Sequence, residues 1–273
     1  MILKKGIDLS KKTIPGIFEH IEKEKHKHSY AYFAGWADGD GCLKFKPKYS
    51  DDSYRLPIQY EEPVEEIANL YKTSICLMTP DKREWINETD PRKFTSLHSV
   101  RLKHFAEHAA PFLVAKQKEV LDYLKRQDVD VSNIPYQQHS KKEFIEWFTG
   151  FAEAEGTFTF TKQSKCVTVS NYDTAPLQFI IDGFKKFYDV DLNMGCSKLV
   201  DDVNSGSSKY ITFRDKEGNI LKQYTRNSEN KYRVYVGGKH FKLFADIMLP
   251  RMKIPYKKEN ATQIAEYTQY RGI

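Results

Sequence analysis

The sequence predicts an α+β fold (mixed α/β) made of two copies of one unit, each ordered helix, strands, helix, strands, helix. A nine-residue motif occurs twice, as FAGWADGDG at residues 33–41 and as FTGFAEAEG at residues 148–156. Apolar and polar residues alternate after each copy, in CLKFKPKY and in TFTFTK, and this period is typical of strands with one buried face. The chain has 273 residues, 40% of them hydrophobic, which is enough for two substantial cores.

The similarity between the two copies extends well beyond the motif. IQYEEPVEEIANLYKTSICL (58–77) resembles VSNYDTAPLQFIIDGFKKFYDVDL (169–192), because a polar start and a proline precede an amphipathic helix and a strand-like run in both. LHSVRLKHFAEHAAPFL (97–113) and VYVGGKHFKLFADIMLP (234–250) both read as a strand followed by a helix that reaches a proline. Two diverged copies of one unit therefore account for nearly the whole chain.

The repeats divide the chain into four segments. A polar stretch with one proline, RQDVDVSNIPYQQHS, separates the two copies and is typical of a linker. We assign an N-terminal extension to residues 1–27, the first repeat to 28–127, the linker to 128–139 and the second repeat to 140–273.

Each motif is expected to form the C-terminal part of a helix. Ser140 followed by Glu143 matches a capping box, which places the start of the second motif helix. Gly41 and Gly156 close the two motifs, where a helix commonly ends in a left-handed residue, so we expect that conformation for both.

Small residues recur on each motif helix and would let the two helices pack closely together. They are Ala34, Gly35 and Ala37 in the first copy, and Thr149, Gly150 and Ala152 in the second.

Close packing would bring two carboxylates together at the ends of the motif helices. Asp40 and Glu155 would then emerge side by side, where the helix carbonyls are already partly negative. Carboxylate and carbonyl oxygens are the donors that Mg²⁺ prefers, so this convergence predicts a divalent-metal site. Its candidate ligands are Asp40 and Glu155 together with the preceding Gly39 and Ala154.

Basic and hydroxyl-bearing residues are expected on the exposed faces of the strands. The formal net charge of +6 permits a nucleic-acid partner without requiring one, and charged strand faces also serve to discourage edge-to-edge aggregation. The candidate DNA-contacting residues are Lys44, Lys46, Lys48, Lys162, Arg214, Lys222, Arg226, Lys231 and Arg233.

Other classes of protein find little support in the sequence. The four cysteines are far apart and form no C-x-x-C pair, so free thiols are expected rather than a zinc site or a disulfide framework. No apolar run has the length of a membrane span, and residues 1–28 contain no signal-peptide region. We therefore expect an intracellular protein without a membrane partner; organellar, microbial and viral hosts all stay open.

The two motifs resemble the paired motifs of LAGLIDADG homing endonucleases, in the monomeric form that carries two motifs in one chain. The match has glycine at the third and ninth places, small residues at the fifth and seventh, and acids at the sixth and eighth; phenylalanine replaces leucine at the first. The resemblance implies two pseudo-symmetric αββαββα repeats that form a saddle. The motif helices would then form the internal interface, and the two sheets a cradle for DNA.

The resemblance also implies roles for individual residues. The eighth-place acids, Asp40 and Glu155, would bind Mg²⁺ or another divalent cation such as Mn²⁺, shared with the scissile phosphates. Lys116, in PFLVAKQKE, resembles the basic residue that family members place near the active site. Its counterpart in the second repeat stays open between Tyr256, which aligns with it, and Lys257, the nearest base.

The sixth-place acids are interpreted as structural. Asp38 and Glu153 lie two residues before the eighth-place acids, which is about 200° around a helix, so they should point to another side.

The function expected from these observations is a monomeric, site-specific double-stranded DNA endonuclease with a non-palindromic target. Asp40, Glu155, Lys116 and Lys257 are its candidate catalytic residues. RNA maturases and DNA-binding proteins that do not cut also occur on this fold, so both stay open as alternatives. A basic protein with no nucleic-acid role is a third.

Overall fold

The structure, a computed structural model, describes residues 16–44, 53–58, 61–77, 93–136, 138–160, 165–201, 208–214, 219–225, 230–237 and 240–270. None of the helices in these ranges is long and apolar enough to cross a membrane. Cys42, Cys166 and Cys196 are free thiols, as their separation in the sequence predicts.

The first repeat follows a short N-terminal helix and builds one antiparallel sheet. The strand order in this first sheet is β1-β2-β4-β3. The N-terminal helix is α1 (Ile17–Glu24), which a 3₁₀ turn at Lys25–Lys27 follows. The elements of the repeat are α2 (Tyr30–Asp40), β1 (Cys42–Lys44), β2 (Ser53–Ile58), α3 (Glu61–Tyr71), β3 (Cys76–Leu77), β4 (Lys93–His98), α4 (Ser99–Ala109) and α5 (Gln117–Arg126), with a 3₁₀ turn at Ala110–Phe112.

The second repeat builds an equivalent antiparallel sheet. The strand order in this second sheet is β5-β6-β10-β7, which matches the first sheet position by position. Its elements are α6 (Lys141–Glu155), β5 (Gly156–Phe160), β6 (Lys165–Asn171), α7 (Ala175–Tyr188), β7 (Met194–Lys198), β8 (Tyr210–Arg214), β9 (Ile220–Thr225), β10 (Asn230–Gly237), α8 (Phe241–Met248) and α9 (Pro255–Tyr270). The predicted fold class, α+β with two αββαββα repeats, is confirmed.

Two strands of the second repeat have no equivalent among the described residues of the first, where residues 78–92 lie outside the description. Strands β8 and β9 pair with each other as a separate antiparallel hairpin, inserted between β7 and β10. Arg214 and Lys222, two of the predicted DNA-contacting residues, therefore lie on this hairpin and not on the sheet that carries Lys231 and Arg233. Both edges of β10 are already paired, with β6 and β7, so the inserted strands have no place beside it.

The motif helices α2 and α6 pack against each other through direct backbone contact. A β-carbon on Gly35 would lie 1.9 Å from the carbonyl oxygen of Trp147, and one on Gly150 would lie 2.1 Å from that of Tyr32. Both distances are far below van der Waals contact, so only glycine fits at these two positions. The prediction that small residues let the two helices approach closely is confirmed.

The strands of the second repeat bury one face, as their alternation predicts. In β5, Phe158 is buried whereas Thr157 is exposed. In β10, Val234 and Val236 are buried and Arg233 is exposed. Helices α7 and α8 pack on the buried face, where their phenylalanines join the valines in one apolar core. The other face of the second sheet keeps its polar and basic side chains.

The ends of the motif helices agree with the sequence in one respect and differ in another. The capping box is confirmed: Glu143 N–H donates to Ser140 Oγ at 3.3 Å, and Ser140 N–H donates to the Glu143 carboxylate at 2.8 Å. The left-handed conformation expected for Gly41 and Gly156 is wrong, since their φ angles are −70° and −89°. Each glycine leads directly into a strand, which requires extended backbone. A side chain at Gly156 would meet the carbonyl oxygen of Ala152 at 2.2 Å.

Replacing either interface glycine should disrupt the helix pair. We expect Gly35→Ala and Gly150→Ala each to lower the free energy of unfolding by about 3 kcal/mol or more, because the added methyl group meets backbone atoms that cannot move alone. Denaturant unfolding would measure the effect. Gly195→Ala is the matched control, since a β-carbon there meets nothing closer than 3.4 Å. Equal stability of all three variants would contradict the backbone contact.

Candidate active site

The two motif helices end side by side. Helix α2 ends at Asp40 and helix α6 at Glu155. The contact between these ends is close, because a β-carbon on Gly39 would lie 2.4 Å from Cβ of Ala154 and 3.1 Å from Cγ of Glu155. The structure therefore brings together all four residues predicted as metal ligands. Asp40 and Glu155 are both partly exposed at this end.

The electrostatics of this end disfavour two bare carboxylates. Burial raises the pKa of Glu155 to about 7, and the charge of Asp40 adds to the rise. Lys116, Lys231 and Lys257 oppose it. The partial negative charge of two helix C-termini falls at the same place. A donor set of carboxylate and carbonyl oxygens in a negative site suits a hard divalent cation such as Mg²⁺.

Lys116 holds the C-terminal end of α2. Its Nζ donates to the carbonyls of Ala37 at 2.7 Å, Asp38 at 2.6 Å and Gly39 at 3.3 Å. Burial lowers the pKa of Lys116, and the nearby charges of Asp38, Glu155 and Asp40 oppose that shift. The ammonium group therefore neutralises part of the helix end and lies within electrostatic reach of both motif carboxylates.

Lys257 does the same for α6. Its Nζ donates to the carbonyls of Glu153 and Gly156. Burial lowers the pKa of Lys257 to about 8, against the opposing charges of Asp40, Glu153 and Glu155. Tyr256 is exposed instead. By position, Lys257 is the counterpart of Lys116 in the second repeat.

Asp38 is a buried acid that positions Lys116. Its carboxylate accepts hydrogen bonds from the backbone N–H groups of Val114 at 2.7 Å and Lys116 at 2.8 Å. It also accepts from Trp147 Nε1 at 2.9 Å, on the opposite motif helix. Asp38 thus ties the loop before α5 to the helix interface.

Glu153 makes the same set of contacts in the second repeat. Its carboxylate accepts from the backbone N–H groups of Lys253 at 2.9 Å and Ile254 at 2.7 Å, just before α9. It also accepts from the Tyr32 hydroxyl at 2.6 Å, on the opposite motif helix. These contacts agree with the interpretation of both sixth-place acids as structural.

Tyr32 and Trp147 complete this arrangement, and reasoning from the sequence missed them. Each is the residue immediately before its motif, and each donates across the interface to the sixth-place acid of the other helix. The signal in the sequence is a polar aromatic residue at equivalent positions of the two copies.

A basic strand face of the second sheet adjoins the carboxylates. Arg233 and Tyr235 are exposed and alternate along β10 with the buried Val234 and Val236, and Lys231 lies on the same face as Arg233. Arg233 donates to Ser197 on β7 and pairs in register with Ser170 on β6. The charge of Lys231 reaches Glu155. Further hydroxyls on this face come from Thr157, Thr159 and Thr168.

The remaining predicted DNA-contacting residues are spread over both repeats. Lys44 lies in β1, directly after the first motif, while Arg214 and Lys222 lie in the β8–β9 hairpin. Lys46, Lys48, Lys162 and Arg226 lie outside the described residues.

Among known proteins, similarity to this chain is found only in solved structures. No family model matches the chain, and no curated protein does. The homing endonuclease I-DmoI in complex with DNA and Ca is 17% identical, with a TM-score of 0.46 over 86% of this chain and 96% of its own. The homing endonuclease I-WcaI bound to its DNA recognition sequence is 10% identical, with a TM-score of 0.45 over 92% of this chain and 93% of its own. The N-terminal LAGLIDADG domain of DUF199/WhiA is 10% identical, with a TM-score of 0.45 over 89% of this chain and 93% of its own.

The cross-interface hydrogen bond to Asp38 should contribute measurably to stability. Trp147→Phe leaves the buried Asp38 carboxylate one donor short, whereas Trp36→Phe removes an equally buried indole whose Nε1 has no hydrogen-bond partner among the described residues. We expect Trp147→Phe to cost about 1.5–3 kcal/mol more free energy of unfolding than this control. Equal losses of unfolding free energy in the two variants, measured by urea titration, would show that the hydrogen bond does not contribute to stability.

The raised pKa of Glu155 should make the stability of the protein depend on pH. An acid with a raised pKa binds its proton more tightly in the folded than in the unfolded protein. Protonation of Glu155 therefore stabilises the fold at low pH, and this stabilisation is lost as the pH rises from about 4.5 to about 7. In EDTA at pH 8, Glu155→Gln should therefore be more stable than the wild type by up to roughly 3 kcal/mol. At pH 5 the two should differ little.

Chemical denaturation at both pH values would measure this difference. Glu259→Gln, at an exposed position of α9, is the control and should change stability at neither pH. A Glu155→Gln variant less stable than the wild type at pH 8 would contradict the electrostatic description of the site.

Proposed function

We propose that this protein is a divalent-metal-dependent, site-specific double-stranded DNA endonuclease of the LAGLIDADG homing endonuclease kind, acting as an intracellular monomer. One observation carries the proposal. Two partly exposed carboxylates, Asp40 and Glu155, stand together at adjoining helix C-termini, next to a basic strand face.

The metal site would be built from Asp40 and Glu155, with the carbonyls of Gly39 and Ala154 as further oxygen donors. A divalent cation such as Mg²⁺ or Mn²⁺ supplies the Lewis acidity that phosphodiester hydrolysis requires. The carboxylates would hold it where the C-terminal ends of α2 and α6 adjoin, between the two repeats. A duplex lying across the two sheets would therefore present its backbone to the same centre from either side.

Lys116 and Lys257 would assist the reaction from either side of the carboxylates. Each ammonium group is already fixed by helix-end carbonyls, so it needs little reorganisation when charge develops on a phosphate. The pKa of about 8 lets Lys257 give up or take a proton near neutral pH.

The two halves of the site are unlike. The first repeat supplies Asp40 and a lysine that contacts three carbonyls, and the second supplies the longer Glu155 and a lysine that contacts two. Small differences in the position of catalytic groups have large effects on rate, so the two DNA strands should be cut at unequal rates. Each repeat would read its own half-site, which favours a non-palindromic target.

The basic residues of the strands would hold the DNA. Contacts to phosphate set affinity and register, and contacts to base edges set specificity. Lys231 and Arg233 share one face of β10, and the charge of Lys231 reaches Glu155. The other proposed contacts come from Lys44, Lys46, Lys48, Lys162, Arg214, Lys222 and Arg226.

Removal of the metal ligands should separate cleavage from binding. The target is first selected by sequencing the ends cut from a randomised duplex library in Mg²⁺. Asp40→Asn and Glu155→Gln should then each lose double-strand cleavage while retaining affinity for that target, because the two acids bind metal and read no bases. Gel shifts and plasmid linearisation measure the two properties separately.

Glu259→Gln is the control for this experiment and should cleave like the wild type. A double variant, Asp40→Asn with Glu155→Gln, that still linearises plasmid in Mg²⁺ would contradict the assignment. If the wild-type protein cuts nothing in the library with any divalent cation, but retains particular duplexes from the same library in gel shifts, it is a non-cleaving binding protein instead.

Loss of basic residues from the strand face should weaken DNA binding in a salt-dependent way. Lys231→Gln with Arg233→Gln should lower the slope of log affinity against log salt by about 2, if each side chain contacts one phosphate. The control is Lys185→Gln with Lys242→Gln, on helices α7 and α8 behind the same sheet. Equal slopes in both pairs would show that β10 does not face the DNA.

A further inference from the structure

A second cluster of metal-binding side chains lies away from the motif helices, between α1 and α4. Glu22 on α1 and both His104 and His108 on α4 each offer a ligand atom, and these atoms all lie within 4.8 Å of one another. Neither helix supplies any of the residues assigned to DNA cleavage.

The two histidines share one face of their helix. Residues four apart on an α-helix are neighbours on its surface. The rings of His104 and His108 stack with centroids 4.0 Å apart and an interplanar angle of 16°. Two imidazoles are thus held next to each other before any ligand binds.

The other ring nitrogen of each histidine already has a partner. His108 Nδ1 lies 2.9 Å from the His104 carbonyl oxygen, which can only accept, so Nδ1 carries the proton and Nε2 keeps its lone pair. His104 Nδ1 lies 3.1 Å from the Tyr71 hydroxyl, which can accept because Tyr30 Oη, at 3.4 Å, offers a partner for its own proton. Histidines that bind metal are usually held in this way through the nitrogen that does not bind.

The free nitrogen of His104 faces a carboxylate without a hydrogen bond. His104 is 8% exposed, and its Nε2 has no hydrogen-bond partner among the described residues. The Glu22 Oε1 atom lies 3.5 Å from it, while the other oxygen of Glu22 pairs with Lys25 at 2.6 Å. In the tautomer that carries its proton on Nδ1, the lone pair of Nε2 faces a lone pair of Glu22 across this gap, and a cation between them would satisfy both.

We propose that Glu22, His104 and His108 bind a divalent transition-metal ion of the Zn²⁺ class, which fastens the N-terminal helix α1 to the first repeat. Two imidazoles and one carboxylate suit Zn²⁺, whereas Mg²⁺ takes oxygen ligands, so the chemistry of this site differs from that of Asp40 and Glu155. Three protein ligands leave the fourth tetrahedral position for water. The side chain of Glu22 is 55% exposed, which leaves the ion a route in from solvent.

Zn²⁺ titration of the full chain tests the proposal. The titration uses the variant Asp40→Asn with Glu155→Gln, so that the carboxylates of the motif helices cannot contribute. We expect one saturable Zn²⁺ site, and Co²⁺ in its place should show the visible absorption of a tetrahedral complex with nitrogen ligands. At a hundredfold excess over the Kd, the midpoint of thermal unfolding should rise by roughly 5 °C or more.

Variants of the cluster decide whether these residues form the site. His108→Gln, and separately the exposed Glu22→Gln, should weaken Zn²⁺ binding at least tenfold and remove the thermal shift. His26→Gln, at an exposed neighbouring histidine, is the matched control and should bind like the parent chain. Unchanged Zn²⁺ affinity in both cluster variants, or no saturable site in the parent chain, would overturn the proposal.

The proposed function is tested independently. In Mg²⁺, His108→Gln in the otherwise wild-type chain should leave the rate of DNA cleavage unchanged, because the cluster takes no part in it.

Discussion

The rest of the structure depends on the direct backbone contact between the two motif helices. Gly35 and Gly150 remove the side chains that would hold α2 and α6 apart, so that each glycine reaches a carbonyl of the other helix. That contact brings the helix ends together and sets Asp40 beside Glu155. It also places Tyr32 and Trp147 within reach of the opposite buried acid. The close packing of α2 and α6 stabilises the fold, and the same packing sets the position of the candidate catalytic carboxylates.

The two acids of each motif have separate tasks because they lie on different sides of one helix. The sixth-place acid points inward and accepts backbone N–H groups from the segment that carries a lysine. That lysine in turn binds the carbonyls at the helix end and offsets the charge of the eighth-place acids. The repulsion between Asp40 and Glu155 is therefore only partly relieved by the protein. Burial and the remaining repulsion together raise the pKa of Glu155, and a bound cation would offset both.

The spacing of small residues and acids was enough to predict the paired helix ends, since a helix has a fixed period and glycine a unique size. The counterpart of Lys116 was harder to assign, because aligning the two repeats places Tyr256 opposite it. The structure identifies Lys257 instead, since its ammonium group contacts the carbonyls at the end of α6. The β8–β9 hairpin could not be foreseen, as alternation shows a strand but not its neighbours. The Glu22–His104–His108 cluster joins residues that are distant in the sequence, with no motif to connect them.

The central claim is that Asp40 and Glu155 form one divalent-cation site at the contact between the two repeats. Anomalous scattering from crystals of the protein bound to its selected DNA target in Mn²⁺ tests it most directly. The account predicts an anomalous peak within coordination distance of both carboxylates and of a DNA phosphate. Mn²⁺ bound elsewhere, with Asp40 and Glu155 turned away from the DNA, would contradict it.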